Sequence, residues 1–339
     1  MNESFARALC QLNNRFYQEQ AASFSNTRQA AWPGWERCLE HIADRFALNT
    51  PAEHSTKRPL SILDVACGNL RFEEFLTRSL PQGSFAVTAL DTCDDLLPEE
   101  PLHNIRYQHC DIIDALLGGT LGPALRQEPR ASCSGSPART PSAPTSAAPV
   151  ATLTAPTPTT PAATLATSAT PASTAAALPT SATPASMAAT LTTSATPASD
   201  PEHHLYDCVV SFGFMHHVPG TQWRERFLNT LIDATEPGGL ICLSLWRFMD
   251  NKALAEKAHR THHSGTQELS LDATQFEPGD YLVGWKNEPG AYRYCHSFTD
   301  SEIDTLLASI SEKAECLARF RSDGRSENLN EYLILRKVH

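Results

Sequence analysis

No run of apolar residues in this chain approaches the roughly 20 that a bilayer-crossing helix needs. The opening stretch MNESFARALCQLNNRFY also lacks the apolar centre of a secretory leader. The ten cysteines include no Cys-x-x-Cys pair, which removes the usual sign of a zinc ribbon or a thiol redox motif. Several of them, Cys208 and Cys242 among them, sit inside apolar runs where cysteine acts as a small hydrophobe. Reduced thiols, a cytoplasmic location and no membrane partner are the expectations. Lysine is scarce, 6 residues against 21 arginines, and the net charge is −11. That balance argues against nonspecific nucleic-acid binding, which draws on Lys and Arg to neutralise phosphates, but leaves a local patch open. Arginine is the cation suited to a two-pronged grip on carboxylate or phosphate. A pyrophosphate-binding GxGxxG is missing too, since only Ala66, Gly68 and Leu70 stand around the relevant turn.

Aromatic residues are absent from Glu128 to Ser199, where Ala, Pro, Thr and Ser predominate and TSATPAS recurs at Thr167, Thr180 and Thr193. No leucine or aromatic pattern is there to stack as a solenoid. Scattered prolines block helix and sheet, so a disordered insert of polyproline character is expected over residues 128–203. The rest of the chain, about 265 residues, suffices for one buried core with additions.

What the chain does contain begins with LSILDVACGNLRFEEFL. It is an apolar strand ending in Asp64, a small-residue turn at Cys67, Gly68 and Asn69, and a segment with helical spacing at Phe72, Phe75 and Leu76. Strand, turn and helix in that order leave backbone N–H groups free to hold an anionic ligand. VTALD then ends in Asp91, near the roughly 20-residue offset at which a carboxylate meets ribose hydroxyls. An enzyme that binds an adenosine-containing cofactor is the reading. YDCVVSF and GGLICLSLW are continuous apolar runs, as strands covered on both faces require. IRYQHCD supplies a third strand after VTALD. Helical spacing over Glu302 to Ile310, then alternation in AECLARF and LNEYLILRK around SDGRSEN, predicts a helix and a terminal hairpin.

The turn resembles motif I of the class I S-adenosylmethionine-dependent methyltransferases, DxGCGxG, with Asp64, Cys67 and Gly68 matching and Ala66 and Leu70 departing from it. The resemblance implies a Rossmann-like, doubly wound α/β sheet of seven strands with a C-terminal antiparallel hairpin, and S-adenosyl-L-methionine as cofactor. It further implies that Asp64, Ala66, Gly68, Asp91 and Asp111 hold that cofactor, Asp91 on the ribose and Asp111 toward the adenine amino group. Three longer segments narrow it: SFSNTRQAAWP, FMHHVPG and the pair LVGW and RYCHSF. They resemble the tRNA wobble-uridine carboxymethyl methyltransferases, with Gly284 and Cys295 replacing a proline and a tyrosine of that family. The resemblance implies a carboxylate acceptor on a modified uridine in tRNA and a possible small partner subunit.

On this reading residues 1–59 form a helical cap and substrate segment. Residues 60–127 and 204–339 are the two halves of the methyltransferase domain, with a substrate-covering insert at about 249–297. Arg28, His217 and Arg293 are the candidate catalytic residues. Arg28 can equally be a surface charge, while Trp32 and Pro33 suit packing and a first helical turn. Adjacent side chains on a strand face opposite ways, so at most one of His216 and His217 is expected in the site. His259, His262 and His263 have no matching second half, and no metal is expected. Two rival readings remain: a small-molecule O- or N-methyltransferase acting on a small acid or other acceptor, with His217 as base, and a non-enzymatic adaptor.

Overall fold

The computed structural model describes residues 1–27, 30–48, 58–98, 100, 102–127, 204–286 and 288–339. All belong to one unit, Met1–Arg130 with Pro201–His339. The expected insert at 128–203 lies outside the described residues.

The sheet follows from the apolar runs. Strands β1 (Leu60–Val65), β2 (Phe85–Asp91), β3 (Ile105–His109), β4 (Tyr206–Ser211) and β5 (Thr235–Trp246) pair in parallel, and β9 (Asn330–Lys337) and β8 (Ala314–Ser322) add an antiparallel edge. The order β3-β2-β1-β4-β5-β9-β8 is the doubly wound sheet with a C-terminal hairpin that the sequence implied. Cys208, Val209, Val210, Leu240, Ile241, Cys242 and Leu243 are fully buried because both faces are covered. Each buried aliphatic side chain there contributes about 1.5–3 kcal/mol. Glu236, Pro237 and the glycines that follow occupy an irregularity between the Tyr206–Thr235 and Cys208–Leu240 pairs. A Cβ on Gly239 would come within 2.7 Å of the Asp207 carbonyl, so only glycine lets the strands approach there.

Helices cover both faces. On one side α2 (Pro33–Phe46) and α3 (Arg71–Ser79) bury Trp35, Cys38, Ile42, Phe72 and Leu76. On the other, α4 (Ile112–Leu117), α5 (Leu121–Leu125), α6 (Thr221–Asp233) and α8 (Asp300–Ser309) bury Ile112, Leu121, Phe227 and Ile303. Pro33 stands in the first turn of α2, as anticipated. Asp111 caps α4 by accepting from Asp114 N at 3.0 Å.

The segment after β5 forms α7 (Lys252–Glu268) and a separate hairpin, β6 (Asp280–Gly284) with β7 (Tyr292–His296). His259, His262 and His263 lie on α7. The long N-terminal helix α1 (Glu3–Asn26) packs Phe5, Leu9 and Leu12 against Leu282, Tyr292 and Tyr294 of the hairpin. Asn13 locks the two together: its Oδ1 accepts from Tyr294 N at 2.7 Å and its Nδ2 donates to Tyr294 O at 3.2 Å.

Where the chain leaves the described residues and where it returns are adjacent. His204 N donates to Arg126 O at 3.0 Å, at the end of the sheet where β4 begins.

Candidate active site

The order in which successive strands are added reverses between the parallel neighbours β1 and β4, and a crevice opens outside the C-terminal ends of strands at such a switch point. A cavity of about 390 Å³ lies there. Asp64, Ala66, Gly68 and Asp91 line one part of it, and Tyr17, His216, His217, Trp246 and Arg293 another.

The first part is built by the turn after β1. Ala66, Gly68 and Leu70 have φ of 70°, 59° and 58°, so the backbone adopts left-handed conformations at all three positions although one glycine remains. The positive φ of Ala66 adds strain, of order 1–2 kcal/mol for a non-glycine residue. The reason is visible in the ladder: Ala66 N and Cys67 N both donate to Leu90 O, at 2.8 and 3.0 Å, and fold the chain sharply toward β2. Asp91 completes the turn. Its two carboxylate oxygens accept from Gly68 N at 2.8 Å and Cys93 N at 2.9 Å. Burial raises its pKa above the usual carboxylate range, and these N–H bonds pull against that rise.

Beneath the turn lies a residue that sequence reasoning passed over. Glu73 of α3 is fully buried against Asp64. Counted as acceptors, Asp64 Oδ1 and both Glu73 oxygens have no hydrogen-bond partner; a proton shared between the two carboxyls supplies one. Burial pushes Glu73 up to about 7 and Asp64 well above the usual range, with like charge adding to the rise at Asp64. A clue existed in the sequence, since Glu73 and Leu76 share one helical face.

The second part joins distant segments. Arg293 is 6% exposed and lies against three aromatic faces, 5.3 Å from Phe16, 5.3 Å from Trp285 and 5.6 Å from Trp246. Burial works against its charge, while Tyr17 and Cys295 beside it hold its pKa above the ordinary arginine value. Among the described residues no carboxylate lies within ion-pair distance of it. His217 places Nδ1 2.9 Å from Tyr294 O and Nε2 2.7 Å from the Tyr17 hydroxyl. His216 and His217 belong to a 3-10 turn rather than a strand, with ring centroids 4.1 Å apart, and both line the cavity. The alternation argument for only one of them therefore fails. Tyr17 itself had no assigned role, because nothing local in FYQEQ announces a partner in a turn 200 residues away.

Of the remaining predicted residues, Arg28 lies outside the described residues. Asp111 does not line the cavity; besides capping α4 it accepts from Asn14 Nδ2 at 2.9 Å, while Ile112 and Ile113 form that wall. His216, His217 and Cys295 bring three possible metal-ligand atoms within 4.8 Å of one another. The His217 nitrogens are already engaged, and Arg293 beside Cys295 opposes a second cation.

No protein-family model matches the sequence, and no curated protein matches it. Solved structures similar to the chain include a methyltransferase from Methanosarcina mazei at 13% identity, covering 83% of this chain and 93% of the other with a TM-score of 0.42. The 1,6-didemethyltoxoflavin-N1-methyltransferase of Burkholderia thailandensis is similar at 12% identity, covering 96% of this chain and 87% of its own, with a TM-score of 0.45. An S-adenosylmethionine-dependent methyltransferase from Anabaena variabilis stands at 12% identity, 96% and 94% coverage and a TM-score of 0.42. The fold assignment made above rests on this chain's own strand order and register.

Proposed function

We propose that this protein transfers a methyl group from S-adenosylmethionine to an acidic acceptor, with the carboxylate of a carboxymethylated wobble uridine in tRNA as the leading acceptor. The observation that carries the reading is one cavity with acidic strand ends and a tight turn in one part and, in another, a buried arginine with no carboxylate of the described residues within ion-pair distance.

The residues present fit the cofactor. Asp64 and Glu73 form a buried acidic pair that shares its hydrogen-bonding only with itself, suited to receive an ammonium group, and the space beyond the Gly68 Cα is open for 4 Å. Asp64 and the Gly68 turn would hold the methionine part, and Asp91, whose carboxylate keeps lone pairs beyond its two N–H bonds, the ribose. When bound, the cofactor supplies an electrophilic methyl group on a sulfonium centre. Arg293 would orient the acceptor; a carboxylate with an ordinary pKa near 4 is already ionised at pH 7, so alignment outweighs base catalysis. Arg28 remains the candidate second arm of that grip.

Calorimetry with S-adenosylmethionine tests the first half: Asp91→Ala should weaken binding by about 1–3 kcal/mol. Absence of binding heat would favour an adaptor. For the acceptor, labelled methyl donor is offered with unmodified tRNA, tRNA bearing the carboxymethylated uridine, and small acids. Transfer to small acids alone would move the protein to the small-molecule reading. Arg293→Lys keeps the charge and loses the fork, so turnover should fall about tenfold or more while cofactor binding is spared; unchanged turnover would discard the arginine grip.

A further inference from the structure

Tyr17 and His217 form a proton-accepting pair inside the cavity that an already ionised carboxylate does not need. His217 Nδ1 lies 2.9 Å from the Tyr294 carbonyl, which can only accept, and 3.2 Å from Asn13 Nδ2, which already donates to that carbonyl; the shorter contact, repulsive without a proton between the two atoms, assigns the ring proton of the neutral imidazole to Nδ1. Nε2 is then the lone-pair nitrogen, and the Tyr17 hydroxyl 2.7 Å away donates to it. Asn13 holds this arrangement by gripping both the N–H and the carbonyl of Tyr294. The imidazole thus meets the cavity through the phenol, which lines the wall beside Arg293. A guanidinium there stabilises negative charge left on the Tyr17 oxygen when its proton moves to His217.

We propose that this pair gives the site a second activity: methylation of a protic group, a phenol or enol hydroxyl, on an anionic molecule held by Arg293. The inference rests on the methyl-donor reading above. As the acceptor oxygen bonds to the methyl carbon of a sulfonium donor, the carbon–sulfur bond breaks and its electron pair stays on sulfur as a neutral thioether. The acceptor's proton passes to Tyr17 Oη, and Tyr17's own proton passes to His217 Nε2. The resulting imidazolium, held through Nδ1–H on the Tyr294 carbonyl, later releases a proton to water. Tyr17 is the catalytic residue of this activity; His217 and Asn13 are positioning residues acting through it.

The three hydroxybenzoate isomers test it, because each carries a carboxylate and a phenol and the methyl ester and methyl ether are separable by mass and chromatography. The native protein should form ether from at least one isomer. Tyr17→Phe keeps the ring and its packing, and should lower kcat for the ether by about 100-fold, within the range for lost acid–base catalysis. The ratio of ether to ester should fall with it, because the ester needs no proton acceptor. His217→Gln should lower kcat for the ether with KM little changed. Apart from activity, 15N resonances of the His217 ring in the unliganded protein should report a protonated Nδ1 and an unprotonated Nε2, the latter moving in Tyr17→Phe. Ether formation that survives both substitutions, ester or no product in a protein that binds the donor, or an Nε2-protonated ring would each overturn the proposal. Failure to bind the donor by calorimetry would instead remove the reading beneath it.

Discussion

Arg224 and Arg293 are both buried, at 2% and 6% exposure, yet their surroundings differ in kind. Arg224 lies 3.2 Å from Glu277, 3.4 Å from Glu302 and 3.8 Å from Asp280, and it donates to the Val218 carbonyl at 3.2 Å. His296 extends the network, 2.7 Å from Asp280 and 2.8 Å from Glu302. Arg247 is treated likewise by Asp250, Asp300 and Glu331. Arg293 has aromatic faces, a phenol and a thiol instead. Scaffold charge is neutralised by carboxylates where it stands, whereas the charge at the cavity meets none among the described residues. The same contrast holds for the acids: Asp64 and Glu73 face each other with no cation of the described residues in ion-pair distance, and the turn above them keeps two non-glycine residues left-handed. The buried carboxyl pair and two of the left-handed non-glycine residues thus meet at one wall of the cavity, while other left-handed residues such as Ala47, Asn104 and Ser270 stand in turns away from it.

The largest expected effect separates the two arginines. Arg224→Met removes the guanidinium shared by Glu277, Glu302 and the buried Asp280, and should cost about 3–5 kcal/mol in urea unfolding, as breaking a buried ion cluster does. Arg293→Met leaves no carboxylate behind and should change stability by about 1 kcal/mol or less. Equal losses from both would erase the comparison.

Next in size is the carboxyl pair. Both carboxyls titrate higher in the folded protein than in the unfolded chain, so the stability tied to their protonation is complete below the ordinary glutamate value of 4.5 and is lost as pH rises through about 7. Glu73→Gln cannot ionise and can donate to Asp64. It should raise stability by roughly 2–3 kcal/mol at pH 8 and hardly at all at pH 5. A gain of the same size at both pH values would show that ionisation is not its source.

The turn sharpens the contrast at smaller scale. Ala66→Gly should stabilise the protein by ~1 kcal/mol or less, relief of the left-handed strain minus the added freedom of the unfolded chain. Leu70→Gly relieves the same strain but removes a side chain that is 5% exposed, and should destabilise by about 1–3 kcal/mol. Thermal melts that rank the two alike would discount strain as the governing term.

The smallest effect is expected from the segment that leaves the domain after Arg126 and returns at His204. Because His204 and Arg126 already meet, replacing Pro129 to Ser199 with a short Gly/Ser linker should leave the melting temperature and cofactor binding nearly unchanged. Loop length enters closure entropy only logarithmically, about 0.6 kcal/mol per doubling. A large drop in the melting temperature would show that the replaced segment supports the domain.

Most of the sheet was legible in the chain itself. Continuous apolar runs can satisfy both faces of a buried strand and little else, so β1, β2, β4 and β5 follow from local composition, as does the terminal hairpin from its alternation. The acidic strand ends Asp64 and Asp91 and the Gly68 turn were legible for the same reason: their spacing is a property of one βαβ unit. The β6–β7 hairpin was not, because LVGW and RYCHSF are separated by a loop without a hairpin turn signature. Whether Arg293 would be neutralised was also hidden, since Arg224, Arg247 and Arg293 look alike as letters. Only folding, which brings Phe16, Tyr17, Trp246 and Trp285 around one guanidinium and leaves Asp280 and Glu302 to another, decided it. The tautomer of His217 belongs there too, fixed by a carbonyl on β7 and a phenol on α1. Local pattern determines which segments can be buried; charge pairing and hydrogen-bond direction depend on which distant segments meet, and those are matters of tertiary structure.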